Sequence, residues 1–240
     1  MQKIDENLTK VTARVQHAAH QAGRNPNEIR LVAVSKTHPA GVVAQAWRHG
    51  QRCFGESYLQ EALAKQSQLG PLEGLEWHFI GPIQSNKTRA VAQHFAWAHC
   101  VDRERIARRL SAQRPPELPD LQVCIQINID QEASKAGVSL DELPDLAHQV
   151  AALPRLQLRG LMAIPAPSQG EAQQRASFAR VREALEALQA QGLALDTLSM
   201  GMSGDLEAAV AEGATLIRVG TDIFGPRRES RSTDGNKPGP

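Results

Sequence analysis

The feature that most constrains the fold is an alternation of short apolar runs with amphipathic segments along almost the whole chain. Apolar runs of strand length are separated by stretches with helical periodicity. The predicted strands are residues 31–34, 52–54, 76–80, 96–101, 121–129, 156–164, 195–200 and 214–219. The predicted helices between them are residues 39–49, 57–69, 84–95, 102–113, 140–153, 173–191 and 204–212. Strands that alternate with helices form parallel βαβ units, so the pattern predicts an α/β protein.

About eight such units in a chain of 240 residues favour a single closed (β/α)8 TIM barrel, which we expect to span residues 1–226. An open doubly wound sheet is the alternative, and it would keep functional residues at the same strand ends. An additional amphipathic helix is predicted at residues 4–22, before the first strand. Residues 227–240 are polar and rich in Gly, Pro and Ser, so we expect a flexible tail without a role in the core.

The charge balance argues against several classes of partner. Lysine and arginine number 27 against 26 acidic residues, which gives a net charge of +1 with neutral histidine, and the sequence has no long basic block. We therefore expect neither a nucleic acid nor a membrane surface as the main partner. The polar start lacks the apolar core of a signal peptide, and no apolar run approaches the ~20 residues that a bilayer requires. The sequence thus predicts a cytoplasmic protein.

The three cysteines carry no evident chemistry. Cys53, Cys100 and Cys124 are odd in number, widely spaced and set in apolar contexts. This arrangement favours neither a disulfide framework nor a metal site. We predict that they are small buried residues.

The first predicted strand ends at a lysine. The apolar run at residues 31–34 gives way to Ser35, and Lys36 stands where Pro39 and its neighbours break the pattern. Desolvation at the mouth of a buried strand is expected to lower the pKa of Lys36 toward ~7 to 8, which makes its amine available as a nucleophile or Schiff-base former. The alternative is a lysine that extends into solvent, and only the rest of the chain can distinguish the two.

Polar residues alternate with aliphatic ones along the fifth predicted strand. One face of residues 121–129 is aliphatic, whereas the other carries Gln126 and Asn128. In a barrel the aliphatic face would meet the helices, so Gln126 and Asn128 would point inside. They indicate either a site or a hydrogen-bonded structural layer.

The loops after the last two predicted strands have a composition that suits an anion. SMGMSGD at residues 199–205 places Ser203 beside two glycines before a helix, and RVGTDIFG at 218–225 places Gly220 and Thr221 before a short segment. Glycine allows the backbone to approach a ligand closely, and amides at a helix start and hydroxyl groups donate to an anion. Barrels commonly bind phosphate at these two strands. Each loop could also be a capped helix or a turn.

Arg218 has the same strand parity as Gly220, so it should point into the barrel if Gly220 faces a ligand. A guanidinium inside a barrel stays charged and needs an acceptor. The acceptor could be a buried carboxylate or the nitrogen of a heteroaromatic ring. Lys36 provides an amine for a carbonyl, the two loops provide a phosphate site, and Arg218 lies between them. This combination matches pyridoxal 5′-phosphate (PLP), which has an aldehyde, a phosphate and a ring nitrogen.

Segments from the first predicted strand to the last carry a resemblance to a known family. They are LVAVSK at 31–36, FGESYLQEA at 54–62, WHFIGPIQSNK at 77–87, VDR at 101–103, QINIDQEASKAGV at 126–138, LRGLMAIP at 158–165, LSMGMSGDLEAAVAEGAT at 198–215 and IRVGTDIFGPR at 217–227. Together they resemble the pyridoxal phosphate homeostasis proteins. The chain departs from that family at Ser57, where the family usually has Asn, and at Cys100, where it usually has Ser.

The resemblance implies one barrel of the alanine racemase N-terminal type, PLP fold type III, with PLP as a covalent aldimine on Lys36. It further implies that Ser203, Gly220 and Thr221 hold the phosphate, that Arg218 faces the pyridine nitrogen and that Met200 lies beside the cofactor. Further candidates, chosen by their position at strand ends or in the loops that follow, are Ser57, Asn128, Lys135 and Met162. Lys135 could accept a second PLP or help to pass the cofactor on, or it could be a solvated loop lysine.

Members of the family are regarded as carriers of the cofactor or regulators of vitamin B6 and amino-acid balance. The resemblance therefore implies a chain that carries or buffers PLP without significant turnover, with PLP-dependent apoenzymes as further partners. A PLP-dependent racemase-like enzyme is the alternative, and a Schiff-base aldolase acting on a phosphorylated substrate is a third hypothesis.

Racemisation needs a second base on the face of the substrate opposite the lysine, and a pyridine ring paired with arginine is a poor electron sink. Barrel racemases of this type take that base, a tyrosine, from an additional β domain of a partner subunit. We expect no such domain after residue 227, and Tyr58 stands just past the second strand, where it is more simply a packing residue at a helix start. A lone barrel of this kind also predicts a monomer.

Overall fold

The computed structural model describes residues 3–130, 136–166 and 170–226. Among these residues eight strands form the centre of the molecule, and they are labelled β1 to β8 in chain order. They are Arg30–Val34, Cys53–Glu56, Glu76–Phe79, Trp97–Val101, Leu121–Ile127, Leu156–Ala163, Thr197–Ser199 and Leu216–Val219.

The eight strands form a closed barrel in which every neighbouring pair is parallel. Closure is made by β1 and β8, which pair with Val32 opposite Arg218 and Ala33 opposite Val219. The predicted (β/α)8 barrel is therefore confirmed, and the alternative of an open sheet is wrong.

The α-helices of the described residues are labelled α1 to α9. They are Ile4–Gln21, Ala40–Arg48, Leu59–Leu69, Thr88–His94, Glu104–Gln113, Leu143–Ala151, Glu171–Ala190, Leu206–Ala211 and Thr221–Phe224, and a 3₁₀ turn at Pro26–Glu28 precedes β1. A helix follows each strand, and α1 is the predicted additional helix. Its apolar stripe, which includes Leu8, Val11 and Val15, is buried, and α1 packs against α2, α8 and α9.

Most element boundaries lie within a few residues of the prediction, and the second strand differs in an instructive way. It was predicted at residues 52–54, but β2 is Cys53–Glu56 because Gly55 and Glu56 continue the ladder opposite His78 and Phe79. In the sequence, Gly55 and Glu56 indicate the start of a loop, because glycine and glutamate are uncommon inside strands. In the fold both are buried strand residues.

The polar face of β5 points toward the barrel interior. Cys124 lies on this face and is close enough to Arg218 and Cys100 for both to influence the pKa of its thiol, which burial raises above its usual range. Gln126, two residues on, donates from Nε2 to the carbonyl of Ala136 at 3.1 Å. The three cysteines are buried and unbonded to one another, as predicted.

Within the part of the chain that the structure describes, no helix combines the length and the apolar character needed to cross a bilayer. The predicted tail at 227–240 lies outside the described residues.

Candidate functional site

A cavity of about 240 Å³ opens among the loops at the C-terminal ends of the strands. The residues that line it come from six of the strands or the segments that follow them. They are Val34, Lys36, His38, Ser57, Ile80, Ile164, Met202, Ser203, Gly204, Arg218, Gly220, Thr221 and Gly225. Among these described residues none is acidic, whereas Lys36 and Arg218 are cations. The cavity therefore suits an anionic ligand.

Lys36 and Arg218 approach each other although they lie far apart in the sequence. Lys36 follows β1 in a turn and is half-buried, and Arg218 lies on β8, the strand beside β1. Both cations lie close enough to the buried thiol of Cys100 to influence its pKa. Burial raises the pKa of Cys100 to about 12, and the positive charges of Arg218 and Lys36 oppose that rise. Both side chains therefore lie near the same end of the barrel interior.

Arg218 is buried without a carboxylate as hydrogen-bond acceptor. Its Nη1 donates to Ser199 Oγ at 2.6 Å and its Nη2 donates to the carbonyl of Ala163 at 3.0 Å. Both acceptors are neutral, and burial lowers the pKa of Arg218 from its usual value. A guanidinium nevertheless stays protonated at neutral pH, so the interior contains a positive charge that its direct hydrogen-bond partners do not balance.

A chain of hydrogen bonds continues from Arg218 across the barrel. His99 Nδ1 lies 2.8 Å from Ser199 Oγ, and His99 Nε2 lies 2.9 Å from His78 Nδ1. Arginine can only donate, so Ser199 Oγ accepts from Arg218; its hydroxyl proton is then available to His99 Nδ1, which accepts it in the tautomer that carries its proton on Nε2. His99 then donates from Nε2 to His78 Nδ1. Burial lowers the pKa of both imidazoles, which agrees with the neutral rings that this chain requires.

Two loops that line the cavity provide hydroxyl groups and glycine backbone. Ser203 and Gly204 follow β7, and Gly220 and Thr221 follow β8. A Cβ added at Gly220 would lie 3.0 Å from the carbonyl oxygen of Val34, so glycine allows β8 to approach β1 closely beside Lys36. A Cβ added at Gly204 would meet no atom within 4 Å.

Arg14 of α1 connects these two loops from outside the barrel. Its Nη2 donates to the carbonyl of Ser203 at 3.1 Å, and its Nη1 donates to Asp222 Oδ2 at 2.7 Å. Its Nε and Nη2 also donate to the two carboxylate oxygens of Glu207, each at 3.0 Å. One guanidinium from the N-terminal helix thus holds the loop after β7 and the first turn of α9 together.

The structure brings six of the predicted site residues to this cavity. They are Lys36, Ser57, Ser203, Arg218, Gly220 and Thr221. Met200 and Met162 are fully buried and are not among the lining residues, whereas Met202, which the sequence reasoning did not select, is. Asn128 lines a smaller cleft that shares Ile164 with this cavity. Lys135 lies outside the described residues.

Tyr58, the tyrosine considered as a second base, precedes α3 with 53% of its surface exposed and does not line the cavity. The expected packing role is therefore not what the structure shows, because the ring is largely in solvent.

The sequence reasoning missed the side chains that support the cavity from behind. His78, His99 and Lys65 are each polar residues on an otherwise apolar face, and this was the signal that could have identified them. Arg14 carried no such signal, because an arginine on the exposed side of an amphipathic helix is ordinary.

These residues fit PLP, a group with an aldehyde, a phosphate and a ring nitrogen. Lys36 offers an amine, and the hydroxyls of Ser203 and Thr221 line the same cavity with glycine backbone beside them. Arg218 is a buried cation whose two direct acceptors are neutral, so it can also serve an acceptor on a ligand. The open space at Gly204 provides room beside the hydroxyl of Ser203.

Comparisons with known proteins agree with this geometry. The alanine racemase N-terminal domain family matches residues 6–228. The pyridoxal phosphate homeostasis protein of Pseudomonas aeruginosa is 59% identical over 227 residues, which cover 95% of this chain and 97% of the relative. That of Escherichia coli K12 is 53% identical over 233 residues, 96% of this chain and 100% of the relative.

A solved structure agrees as well. PipY from Synechococcus elongatus PCC7942, whose structure was determined with PLP bound, is 40% identical and superposes with a TM-score of 0.82. The similarity covers 93% of this chain and 100% of PipY.

Proposed function

The chain belongs to the family of pyridoxal phosphate homeostasis proteins, whose barrel is the alanine racemase N-terminal domain, and we propose that it binds PLP covalently through Lys36 and carries or buffers it. The observation that supports this most is the cavity in which Lys36, Arg218 and the two hydroxyl-bearing loops meet without an acidic side chain among the described lining residues. The binding of PLP by PipY supports the same conclusion.

Bound PLP supplies an aldehyde that condenses with a primary amine and a ring that can withdraw electrons from the resulting adduct. Lys36 provides that amine from the turn after β1. Ser203 and Thr221, with the glycine backbone beside them, bind the phosphate, and Arg14 holds their two loops together. Arg218, whose guanidinium is fixed by Ser199 and the carbonyl of Ala163, would donate to the ring nitrogen.

Arg218 also favours carriage over turnover. Arginine stays protonated, so a ring nitrogen that accepts from it remains unprotonated and the ring withdraws electrons weakly. The site further lacks a tyrosine among its described lining residues, since Tyr58 is outside the cavity. We infer that the chain acts on PLP availability rather than as a racemase. Transfer to PLP-dependent apoenzymes, a monomeric state and a cytoplasmic location belong to the same proposal.

An absorbance titration tests the binding proposal. Addition of PLP to the purified protein should produce a visible band that saturates at one PLP per chain, and Lys36→Ala should abolish it. Lys10→Ala, which changes an exposed lysine of α1, is the control and should behave like the wild type. A wild-type protein that shows no saturable band, or a Lys36→Ala variant that keeps it, would contradict the proposal.

An assay for D-alanine tests carriage against catalysis. The PLP-loaded protein, incubated with L-alanine, should form D-alanine no faster than free PLP does at the same concentration. Racemisation at enzyme-like rates, at least ~1 s⁻¹, would instead establish an enzyme.

A further inference from the structure

A group of charged side chains, two of them buried, contacts the backbone on both sides of Lys36, and we call Lys65, Glu56 and Glu61 the Lys65 cluster. The ammonium of Lys65 donates to Glu56 Oε1 at 2.7 Å and forms an ion pair with Glu61, whose Oε1 lies 2.6 Å from Lys65 Nζ. It also donates to the carbonyl oxygen of Ser35 at 2.6 Å, so the ammonium is surrounded by three oxygens. The side chain of Lys65 is 5% exposed and that of Glu56 is fully buried.

The cluster binds both peptide groups that flank the Cα of Lys36. The carbonyl of Ser35 belongs to the peptide that precedes Lys36, and it accepts from Lys65. The amide of Thr37 belongs to the peptide that follows Lys36, and it donates to Glu61 Oε1 at 2.6 Å. The hydroxyl of Ser35 also donates to Glu56 Oε1 at 2.6 Å. The backbone around Lys36 is therefore fixed on both sides.

The backbone conformation at this point requires such support. Thr37 has φ of 67°, in the left-handed region that a β-branched residue adopts only with strain. The charge-assisted bond from its amide to Glu61 offsets that strain. Without the bond the turn would be free to relax to an ordinary conformation, and the Cα to Cβ direction of Lys36 would change with it.

We propose that Glu61, supported by Lys65 and Glu56, is a positioning residue that orients the amine of Lys36 toward the aldehyde of bound PLP. This inference rests on the proposed function and adds to it the group that sets the geometry of adduct formation. Glu61 does not line the cavity, so it acts through the backbone of residues 35–37 and not by contact with PLP.

The test compares Glu61→Ala, Glu61→Gln and a matched control. The amide oxygen of glutamine can keep the hydrogen bond from the amide of Thr37 and the contact with the ammonium of Lys65, whereas alanine loses both. Glu104→Ala is the control, because Glu104 stands in the first turn of α5 and pairs with an arginine four residues later, as Glu61 pairs with Lys65. It has no bond to the turn of Lys36.

Two measurements separate positioning from general loss of structure. The first is the rate at which the visible band forms after the PLP-free protein is mixed with PLP. The second is the Kd for pyridoxine 5′-phosphate, which has the phosphate and the ring but no aldehyde. We expect Glu61→Ala to slow band formation about tenfold to a hundredfold while the Kd for the alcohol changes less than about twofold. Glu61→Gln should restore a rate within about threefold of the wild type.

Every outcome distinguishes the two proposals. If wild type and Glu104→Ala form the band and Glu61→Ala forms it equally fast, the positioning role is wrong while covalent binding stands. If Glu61→Ala weakens binding of the alcohol as much as it slows the band, Glu61 is structural and the positioning role is also wrong. If the wild type forms no band, the proposed function itself fails.

Discussion

The two ends of the barrel differ in how their charges are balanced. At the C-terminal end, the cavity has Lys36 and Arg218 among its described lining residues and no carboxylate. At the N-terminal end, a larger cavity of about 590 Å³ is lined by Arg30, Glu76, Arg159 and their neighbours. There, Arg30 donates to Glu76 at 2.8 Å and Arg159 donates to Asp196 at 2.9 Å. Cavity size therefore does not identify the site, whereas the balance of charge does.

The N-terminal end also contains the group of described residues whose spacing resembles a metal site, Cys53, Glu76 and His78. Arg30 Nη2 donates both to Cys53 Sγ and to Glu76 Oε2 at 2.8 Å, so a guanidinium already supplies the positive charge. In a (β/α)8 barrel the ligand-binding residues lie at the C-terminal ends of the strands. The residues at the N-terminal ends stabilise the fold. The difference in charge follows this division.

Filling the C-terminal cavity should have the largest effect. A side chain at Gly204 starts in open space, so Gly204→Leu is expected to fold normally while it occupies room beside Ser203. We expect the affinity for PLP, measured by absorbance titration, to fall by about 100-fold or more, because several charge-assisted hydrogen bonds to phosphate are lost. Gln93→Leu, which adds an apolar side chain to the N-terminal cavity, should leave the affinity unchanged. Equal losses in the two variants would remove the distinction between the ends.

Arg218→Gln should separate affinity from stability. We expect PLP to bind about 10- to 100-fold more weakly, because a hydrogen bond to a charged group is lost at the ring nitrogen. In the absence of PLP the melting temperature should stay the same or rise, since the variant no longer buries a cation whose direct partners are neutral. Calorimetry of the PLP-free protein checks this, and a marked fall in melting temperature would mean that Arg218 serves the fold.

Arg14→Ala tests whether the N-terminal helix organises the phosphate loops. We expect the free energy of unfolding to fall by about 1 kcal/mol, since the ion pairs of Arg14 are partly exposed, and the Kd for PLP to rise about three- to tenfold. Arg182→Ala is the matched control, because Arg182 has a similar exposure and pairs with three glutamates away from the cavity. Arg182→Ala should lower stability to a similar degree without changing the Kd for PLP. If the Kd rises in both variants, the weaker binding results from lower stability and not from loss of the contacts between Arg14 and the loops.

Glu76→Gln should affect stability alone, by a small and pH-dependent amount. His78 and Arg30 lower the pKa of Glu76 from 4.5 to about 2. A carboxyl with a lowered pKa in the folded state stabilises the protein above pH 4.5, and that contribution disappears as the pH falls toward 2. The wild type should therefore be slightly more stable than Glu76→Gln in urea at pH 7, with the difference shrinking below pH 4.5 and the Kd for PLP equal. A constant difference down to pH 2 would rule out the ion pair as its source.

Much of the fold followed from the sequence because the barrel depends on repeated local patterns. Each apolar run and each amphipathic segment is readable by itself, and their number together with the chain length favoured closure. Arg218 and Lys36 were also readable, since strand parity and strand ends place them at one face. The second strand was read too short because Gly55 and Glu56 look like turn residues until their partners on β3 are known.

The supporting residues were not predicted because their roles depend on contacts between distant segments. Lys65 continues the buried stripe of Leu59 and Ala62 at helical spacing, yet its partners Ser35 and Glu56 lie on other elements. His99 meets Ser199 only because the barrel closes. Such long-range hydrogen bonds leave no periodic signal in the chain, and polarity on an apolar face is their only trace.

The most direct test of the account is to reduce the PLP-loaded protein with borohydride and to map the modified peptide by mass spectrometry. We expect one phosphopyridoxyl group per chain, on Lys36, and no modification of Lys65, whose ammonium is buried and held by Ser35, Glu56 and Glu61. Modification of another lysine while Lys36 stays free, or of many lysines in equal amounts, would contradict it.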